Sequence, residues 1–337
     1  MWRDELLWPC RRRLRAAAVA AAAVASDAAV SLVKEVHRVS SMPCGRKAAT
    51  LLTCIWKHED QSPPERYFLY LHGFPDQSLD HRIESSHYGQ IHPRLPQRLA
   101  ERLLSERPRS AFVAFNFAGT PGSDDTVSFY EKTVSREVLD ALCIIEYLRR
   151  DKLWPIHVIG ISTGAIVASL LRGKTTKLTI TAIAGLVDLE KGLHYDFDES
   201  QLASFESDGF CWKEFWLPQS ASNPGSACSP TEAVEGKTQD VWSKCAIPLS
   251  VTYRDDFLSL DLKGFVSQNS TPMLILHGDR DRNVPLENGE ELFRVAAKPK
   301  EMVIIKGGDH LLRSSKCTNK AAAAILDFIA RHDTQEP

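Results

Sequence analysis

Residues 156–171 constrain this chain more than any other stretch. The apolar run Ile156-His157-Val158-Ile159 leads into Gly160-Ile161-Ser162-Thr163-Gly164, and the helix-like run Ala165-Ile166-Val167-Ala168-Ser169-Leu170-Leu171 follows at once. A strand that enters a helix through so short a turn forces the serine between them into strained backbone geometry. Glycines on both sides let neighbouring backbone approach without a Cβ clash. The turn lifts the Ser162 hydroxyl above a sheet and sets it at a helix N-terminus, whose dipole favours developing negative charge. This is the form of a nucleophile elbow. Small-x-Ser-x-small also occurs in ordinary tight turns, so the remainder of the chain must discriminate.

The remainder alternates strand-like and helix-like runs, the pattern of a mostly parallel sheet with crossover helices on both faces. Residues 50–56, 66–71, 110–117, 178–186, 272–277 and 302–305 read as strands. In residues 134–150, Val138, Leu142, Ile145 and Leu148 recur three or four apart, which predicts an amphipathic helix. Residues 321–330 close the chain with good helix formers. About residues 188–270 the rhythm breaks. Phe205, Phe210, Trp212, Phe215, Trp216 and Trp242 cluster there, together with a Ser/Pro/Gly/Asn-rich passage from Pro218 to Pro230. This is expected to be an insertion of helical pieces and a loop, with the form of a lid over a site.

With 337 residues and 43% hydrophobic content, the chain can bury a substantial core. A formal net charge of −2 gives no global attraction to nucleic acid. The eight cysteines form no C-x-x-C pair, which speaks against a zinc site or a dithiol motif. Cys54 and Cys143 fall in apolar runs, as buried free thiols do, and point to a reducing, cytoplasmic compartment. Residues 1–46 read as an N-terminal extension, either helical or disordered. Arg11-Arg12-Arg13-Leu14-Arg15 followed by an Ala/Val run to Ala25 has some of the character of an organellar or secretory leader. That run is too short to span a bilayer, and no later segment approaches a span.

Serine is a poor nucleophile until a base takes its proton, and the base needs an orienting carboxylate. Among the 11 histidines, His310 lies in Gly307-Gly308-Asp309-His310, between the last strand and the closing helix. That loop falls at the carboxyl edge of the sheet, where open α/β sheets bind ligands. The carboxylate is expected after the preceding strand, in His277-Gly278-Asp279-Arg280-Asp281-Arg282-Asn283-Val284-Pro285. Asp281, at the fifth place of H-G-x-x-D-x-x-V-P, is the choice; Asp279 is the alternative, or else a turn residue. Asp309, adjacent to the base, is a weaker candidate. For a developing oxyanion the Thr163 N–H is placed by the elbow, and the Phe74 N–H in His72-Gly73-Phe74-Pro75 is the second candidate donor. Gly119-Thr120-Pro121-Gly122-Ser123 lacks the Lys-Ser/Thr ending of a P-loop and reads as a turn.

Taken together, HGFPD (72–76), FNFAGTPGS (115–123), GISTG (160–164), HGDRDRNVP (277–285) and GGDH (307–310) make the chain resemble an α/β-hydrolase-fold serine hydrolase. Within that fold it is similar to the feruloyl/cinnamoyl-esterase and acyl-esterase branch. The resemblance implies a hydrolase domain over 47–333, with a lid inserted at about 188–270 before the acid-bearing strand. It implies a Ser162–His310–Asp281 triad that cleaves a small-molecule acyl or aryl ester, or a thioester, through an acyl-enzyme, without metal or organic cofactor. Thioesterase, peptidase and lipase chemistry stay open on the same triad. So does a non-catalytic ligand-binding role, since fold does not determine function.

Overall fold

The computed structural model describes residues 19–24, 32–41, 48–59, 64–75, 79, 94–120, 123, 127–218, 233–235 and 241–332. The first part of the chain forms β1 (Val19–Val24), β2 (Leu32–Ser41), β3 (Ala49–His58), β4 (Arg66–Leu71), α1 (Arg94–Glu106) and β5 (Ser110–Phe115). It continues with α2 (Val134–Leu148), β6 (Ile156–Ile161), α3 (Thr163–Leu170) and β7 (Leu178–Ile183). An inserted stretch holds α4 (Leu189–Asp196), α5 (Glu199–Asp208), β8 (Phe210–Pro218), β9 (Ala233–Glu235), β10 (Val241–Ser250), α6 (Val251–Ser259) and α7 (Leu262–Gln268). The chain then resumes with β11 (Met273–Gly278), α8 (Leu286–Val295), β12 (Lys300–Ile305) and α9 (Ser315–His332).

The main sheet has nine strands in the order β1-β2-β3-β5-β4-β6-β7-β11-β12. From β5 to β12 every neighbouring pair is parallel. Every residue of β4, β5, β6, β7 and β11 is buried. Near-continuous apolar runs demand this, because a strand apolar on both sides must be covered on both. Alternate residues serve the two faces. Leu69, Val113, Val158 and Ile180 pack with α2 and α3, whereas Phe68, Phe112, Ile159 and Leu274 pack with α1 and α9. The parallel register brings the ends of β4, β6, β11 and β12 to one edge: Leu71 pairs with Gly160, Ile161 with Ile183 and Gly278 with Ile305. Cys54 and Cys143 are free thiols, the first fully buried. Among the described residues no helix is long and apolar enough to cross a membrane.

The expected boundary at residue 47 needs correction. β2 pairs antiparallel with β3 along its whole length, from Leu32↔His58 to Ser41↔Ala49, and β1 pairs with β2. The Ser41 hydroxyl donates to Asp140 Oδ1 of α2 at 2.6 Å, while the same carboxylate accepts the Ala118 N–H (3.0 Å) and Arg136 Nε (3.1 Å). His37 meets the Tyr147 hydroxyl of α2 at 2.9 Å. Residues 32–41 therefore belong to the sheet and its core, not to an extension. Their mixture of Lys, Glu, His and Arg with Val suits an antiparallel strand near the sheet margin, and it hides the strand signal. Val19–Val24, in the Ala/Val run read as helical or disordered, is also strand, because pairing with β2 outweighs alanine's helix propensity. Residues 1–18, including the arginine cluster, lie outside the described residues, as do Asp76, Pro121, Gly122 and 219–230.

The inserted stretch contains the expected helices and also a three-stranded sheet, β8-β10-β9, absent from the sequence reading. β8 pairs with β10 from Phe210↔Ser250 to Pro218↔Trp242. The aromatic run that suggested packing onto the core suits a strand equally well. The insertion is seated by rings. Phe74 stacks on Tyr253 of α6 with centroids 4.7 Å apart and meets Phe197 at 5.7 Å, and Phe197 meets Phe205 of α5 at 5.2 Å. Trp212 is by contrast exposed, and the side chains of Phe215, Trp216 and Trp242 fall outside the described part.

Candidate active site

Ser162 stands between β6 and α3 with φ 53° and ψ −122°, a conformation that L-residues rarely hold. Its N–H donates to the Ile183 carbonyl of β7 at 2.9 Å, which anchors the turn to the sheet. The two flanking glycines are steric necessities. A Cβ on Gly160 would lie 2.1 Å from the Gly164 carbonyl oxygen, and one on Gly164 would lie 2.4 Å from the Leu71 oxygen. The end of β4 thus presses directly on the elbow. At Gly73 a Cβ would come within 3.1 Å of Ser162 Cβ.

His310 and Asp281 reach the same edge from the loops after β12 and β11. His310 Nδ1 is 2.8 Å from Asp281 Oδ2. An ionised carboxylate only accepts, so Nδ1 carries the proton and Nε2 is left basic. The Asp281 side chain is fully buried, and its Oδ1 accepts the N–H groups of Asn283 and Val284, each at 2.9 Å. Burial pushes this carboxyl up, but the hydrogen bond and charge of His310 and the two backbone donors outweigh it and hold the pKa below the ordinary value. His277 braces the turn, with Nε2 2.9 Å from the Val284 carbonyl and 3.5 Å from Asp281 Oδ2. Its burial lowers its own pKa, so it is neutral and donates to that carbonyl. Asp279, the alternative acid, instead accepts the Gly307 N–H at 2.6 Å and ties the two loops together. Asp309 accepts the Arg313 N–H at 2.8 Å and faces the approach to α9.

Thr163 is the first residue of α3, so its N–H has no intrahelical acceptor. Phe74 follows β4 with its ring buried in the aromatic cluster, which holds the backbone beside Ser162. His72 secures that loop from below. Its Nδ1–H donates to the Gly73 carbonyl (2.9 Å) and its Nε2 accepts the Phe117 N–H (3.3 Å). Burial lowers its pKa to about 3, which keeps it neutral and consistent with a bracing part.

Ser162, Phe74 and His310 line one cavity of about 210 Å³. Among the lining residues that the sequence analysis did not name are Tyr195 and Asp196 at the end of α4. Burial pushes the Asp196 carboxyl up to about 6, against the opposing pull of Lys213, His310 and the Thr163 hydroxyl. In sequence it is an unremarked helix-end aspartate in His194-Tyr195-Asp196-Phe197, and no motif marks it. Among the described residues no cluster of His, Cys, Asp and Glu side chains is grouped to hold a metal ion.

The family model described as "Alpha/beta hydrolase family" matches residues 68–316. The chain belongs to the alpha/beta hydrolase family. Its match to YfhR of Salmonella typhi, described as an uncharacterized protein, is 36% identical over 84 residues, 25% of this chain. The chain spans 28% of the length of that curated relative. This alpha/beta hydrolase also shares its fold with solved structures. Est1E from Butyrivibrio proteoclasticus with ferulic acid bound aligns with a TM-score of 0.59 at 15% identity, over 88% of this chain and 99% of that one. A putative hydrolase from Agrobacterium vitis S4 gives 0.60 at 15% identity, over 88% and 99%. Mouse alpha/beta hydrolase domain-containing protein 10 gives 0.53 at 16% identity, over 93% and 100%.

Proposed function

We propose that this protein is a serine hydrolase that cleaves a small carboxylic ester or thioester through an acyl-enzyme on Ser162. The observation that carries the reading is the 2.8 Å bond between His310 Nδ1 and buried Asp281, in a histidine that shares its cavity with the strained serine. His310 Nε2 takes the Ser162 proton as the hydroxyl attacks the carbonyl carbon. Asp281 keeps the imidazole in the required tautomer and stabilises the imidazolium. The Thr163 and Phe74 N–H groups receive the oxyanion; loss of one such donor typically costs about 2.7–4 kcal/mol. His310 then protonates the leaving alcohol or thiol and activates the water that releases the acid. The insertion acts as the lid, with Phe197 and Tyr253 seated on Phe74 and with Tyr195 and Asp196 of α4 forming one wall of the cavity. Because Est1E holds ferulic acid, aryl as well as short acyl esters belong in the first substrate panel.

The test is labelling by a fluorophosphonate together with hydrolysis of that panel. The wild-type protein should be labelled at Ser162, and Ser162→Ala should lose the label and lower turnover by about 10³-fold or more with an unchanged circular dichroism spectrum. Turnover that survives Ser162→Ala removes the nucleophile assignment. An unlabelled wild type that binds a ligand tightly replaces the enzyme by a binding protein of the same fold.

A further inference from the structure

Asp196 is held where a carboxylate is poorly accommodated. It ends α4, where the helix dipole disfavours negative charge, and aromatic rings lie behind it: Phe197, the next residue, and Phe74 are buried. Among the described residues no ion pair reaches its carboxylate. The ammonium group nearest in effect, that of Lys213 on β8, donates to the Asp196 backbone carbonyl and to Gln201 Oε1 (3.3 Å), and lies 4.1 Å from the Phe197 ring centroid. Tyr195 beside it is already engaged, its hydroxyl accepting from Asn288 Nδ2 at 3.1 Å. Yet the Asp196 side chain borders the same cavity as Ser162 and His310. Its half-buried carboxylate is met by the Thr163 hydroxyl, and a carboxylate with about four lone-pair sites keeps room for a further donor from the cavity.

We propose that the Asp196 carboxylate reads the substrate by accepting a hydrogen bond from a hydroxyl or ammonium group that the acyl chain carries into the cavity. The inference rests on the serine-hydrolase reading and names the acyl class within it. In this proposal the alcohol or thiol leaves past Arg313, which lines the cavity and is largely exposed. The acyl group stays on Ser162 after the first step and, on the same proposal, lies against Tyr195 and Asp196 of the cavity wall. The Asp196 carboxylate accepts the hydroxyl of Thr163, the residue after Ser162, and borders the same cavity, so a donor a few bonds from the carbonyl comes within its reach. The cavity of about 210 Å³ sets the size. Since about 150 Å³ admits benzene, the acyl group is a short chain or a single ring.

The experiment uses two pairs of phenyl esters matched in shape. One pair is 3-hydroxybutanoyl and 3-methylbutanoyl; the other is 3-aminopropanoyl and butanoyl. The wild-type protein should prefer the donor-bearing member of at least one pair by about tenfold or more in kcat/KM, as a site built around a polar partner does. Asp196→Leu should abolish or invert that preference. Asp196→Asn keeps the shape and an accepting oxygen but no charge, so it should retain part of a hydroxyl preference and lose an ammonium preference. This second variant carries the test if Asp196→Leu does not fold, and it separates the two donors. Hydrolysis of both members without preference overturns the inference alone, as does a preference that Asp196→Leu leaves intact, or an equal fall for both members. A wild-type protein that hydrolyses none of the four and leaves Ser162 unlabelled overturns the hydrolase reading and the inference together.

Discussion

Asp281 bonds His310, and Asp196, from a different region, lines the cavity that His310 shares with Ser162. Asp281 sits in the turn after β11 with its oxygens filled by His310 and two backbone N–H groups, and its pKa lies below the ordinary carboxylate value. Asp196 sits at the end of a helix in the insertion, where burial dominates and Lys213, His310 and Thr163 offset it only in part, leaving it near 6. Burial raises both carboxyls; what differs is how far nearby donors and charges offset it. A carboxylate whose acceptor capacity is used up is a fixed component of a machine. One left short is receptive to something that arrives later. On the proposed reading the sheet edge supports the chemistry and the appended wall the choice of substrate.

The largest test of that contrast is Asp281→Asn. Loss of tautomer control over His310 should lower kcat by about 10⁴ in steady-state ester hydrolysis with little change in fold. A fall of only a few-fold would deny Asp281 its place. The pH dependence of stability should separate the two acids next. Asp196 holds its proton more tightly folded than unfolded, so its ionisation destabilises the fold as pH rises from the ordinary aspartate range through about 6. Asp281 works in the opposite sense, contributing stability that is lost as pH falls through its lowered pKa. Thermal unfolding of Asp196→Asn should show the variant gaining on wild type at pH 8, by ~1–3 kcal/mol, and not at pH 3.5. An equal difference at both pH values would mean that Asp196 carries no raised pKa. The smallest effect belongs to Asp279→Asn. Asparagine still offers an oxygen to Gly307 N–H, so turnover should stay within a few-fold and stability within about 1 kcal/mol of wild type. A 10⁴-fold loss here would exchange the roles of the two aspartates in the turn.

The parallel half of the sheet was legible because a strand covered on both faces has to be apolar throughout, as 66–71 and 273–278 are. The elbow and the loops after β11 and β12 were legible because chain order, combined with parallel strands, brings all of them to one edge. β2 was hidden because its buried Val36 and Val39 alternate irregularly with charged residues. The insertion's sheet was hidden because aromatic residues read equally well as strand or as packing. Asp196 had no signal at all. Its significance comes from the wall to which α4 is attached, and local sequence carries no record of that.

The tie from Ser41 through Asp140 to the Ala118 amide has a consequence for how the chain could be shortened. A protease that cuts upstream of Leu32 should remove a strand at the sheet margin and leave β2 paired with β3. A cut just beyond Ser41 would strip a whole strand from the sheet and release the backbone after β5, and with it Phe117, the residue against which His72 is wedged. Trimming at the amino end is thus expected to meet a sharp limit at β2, past which the damage reaches the His72 loop beside Ser162.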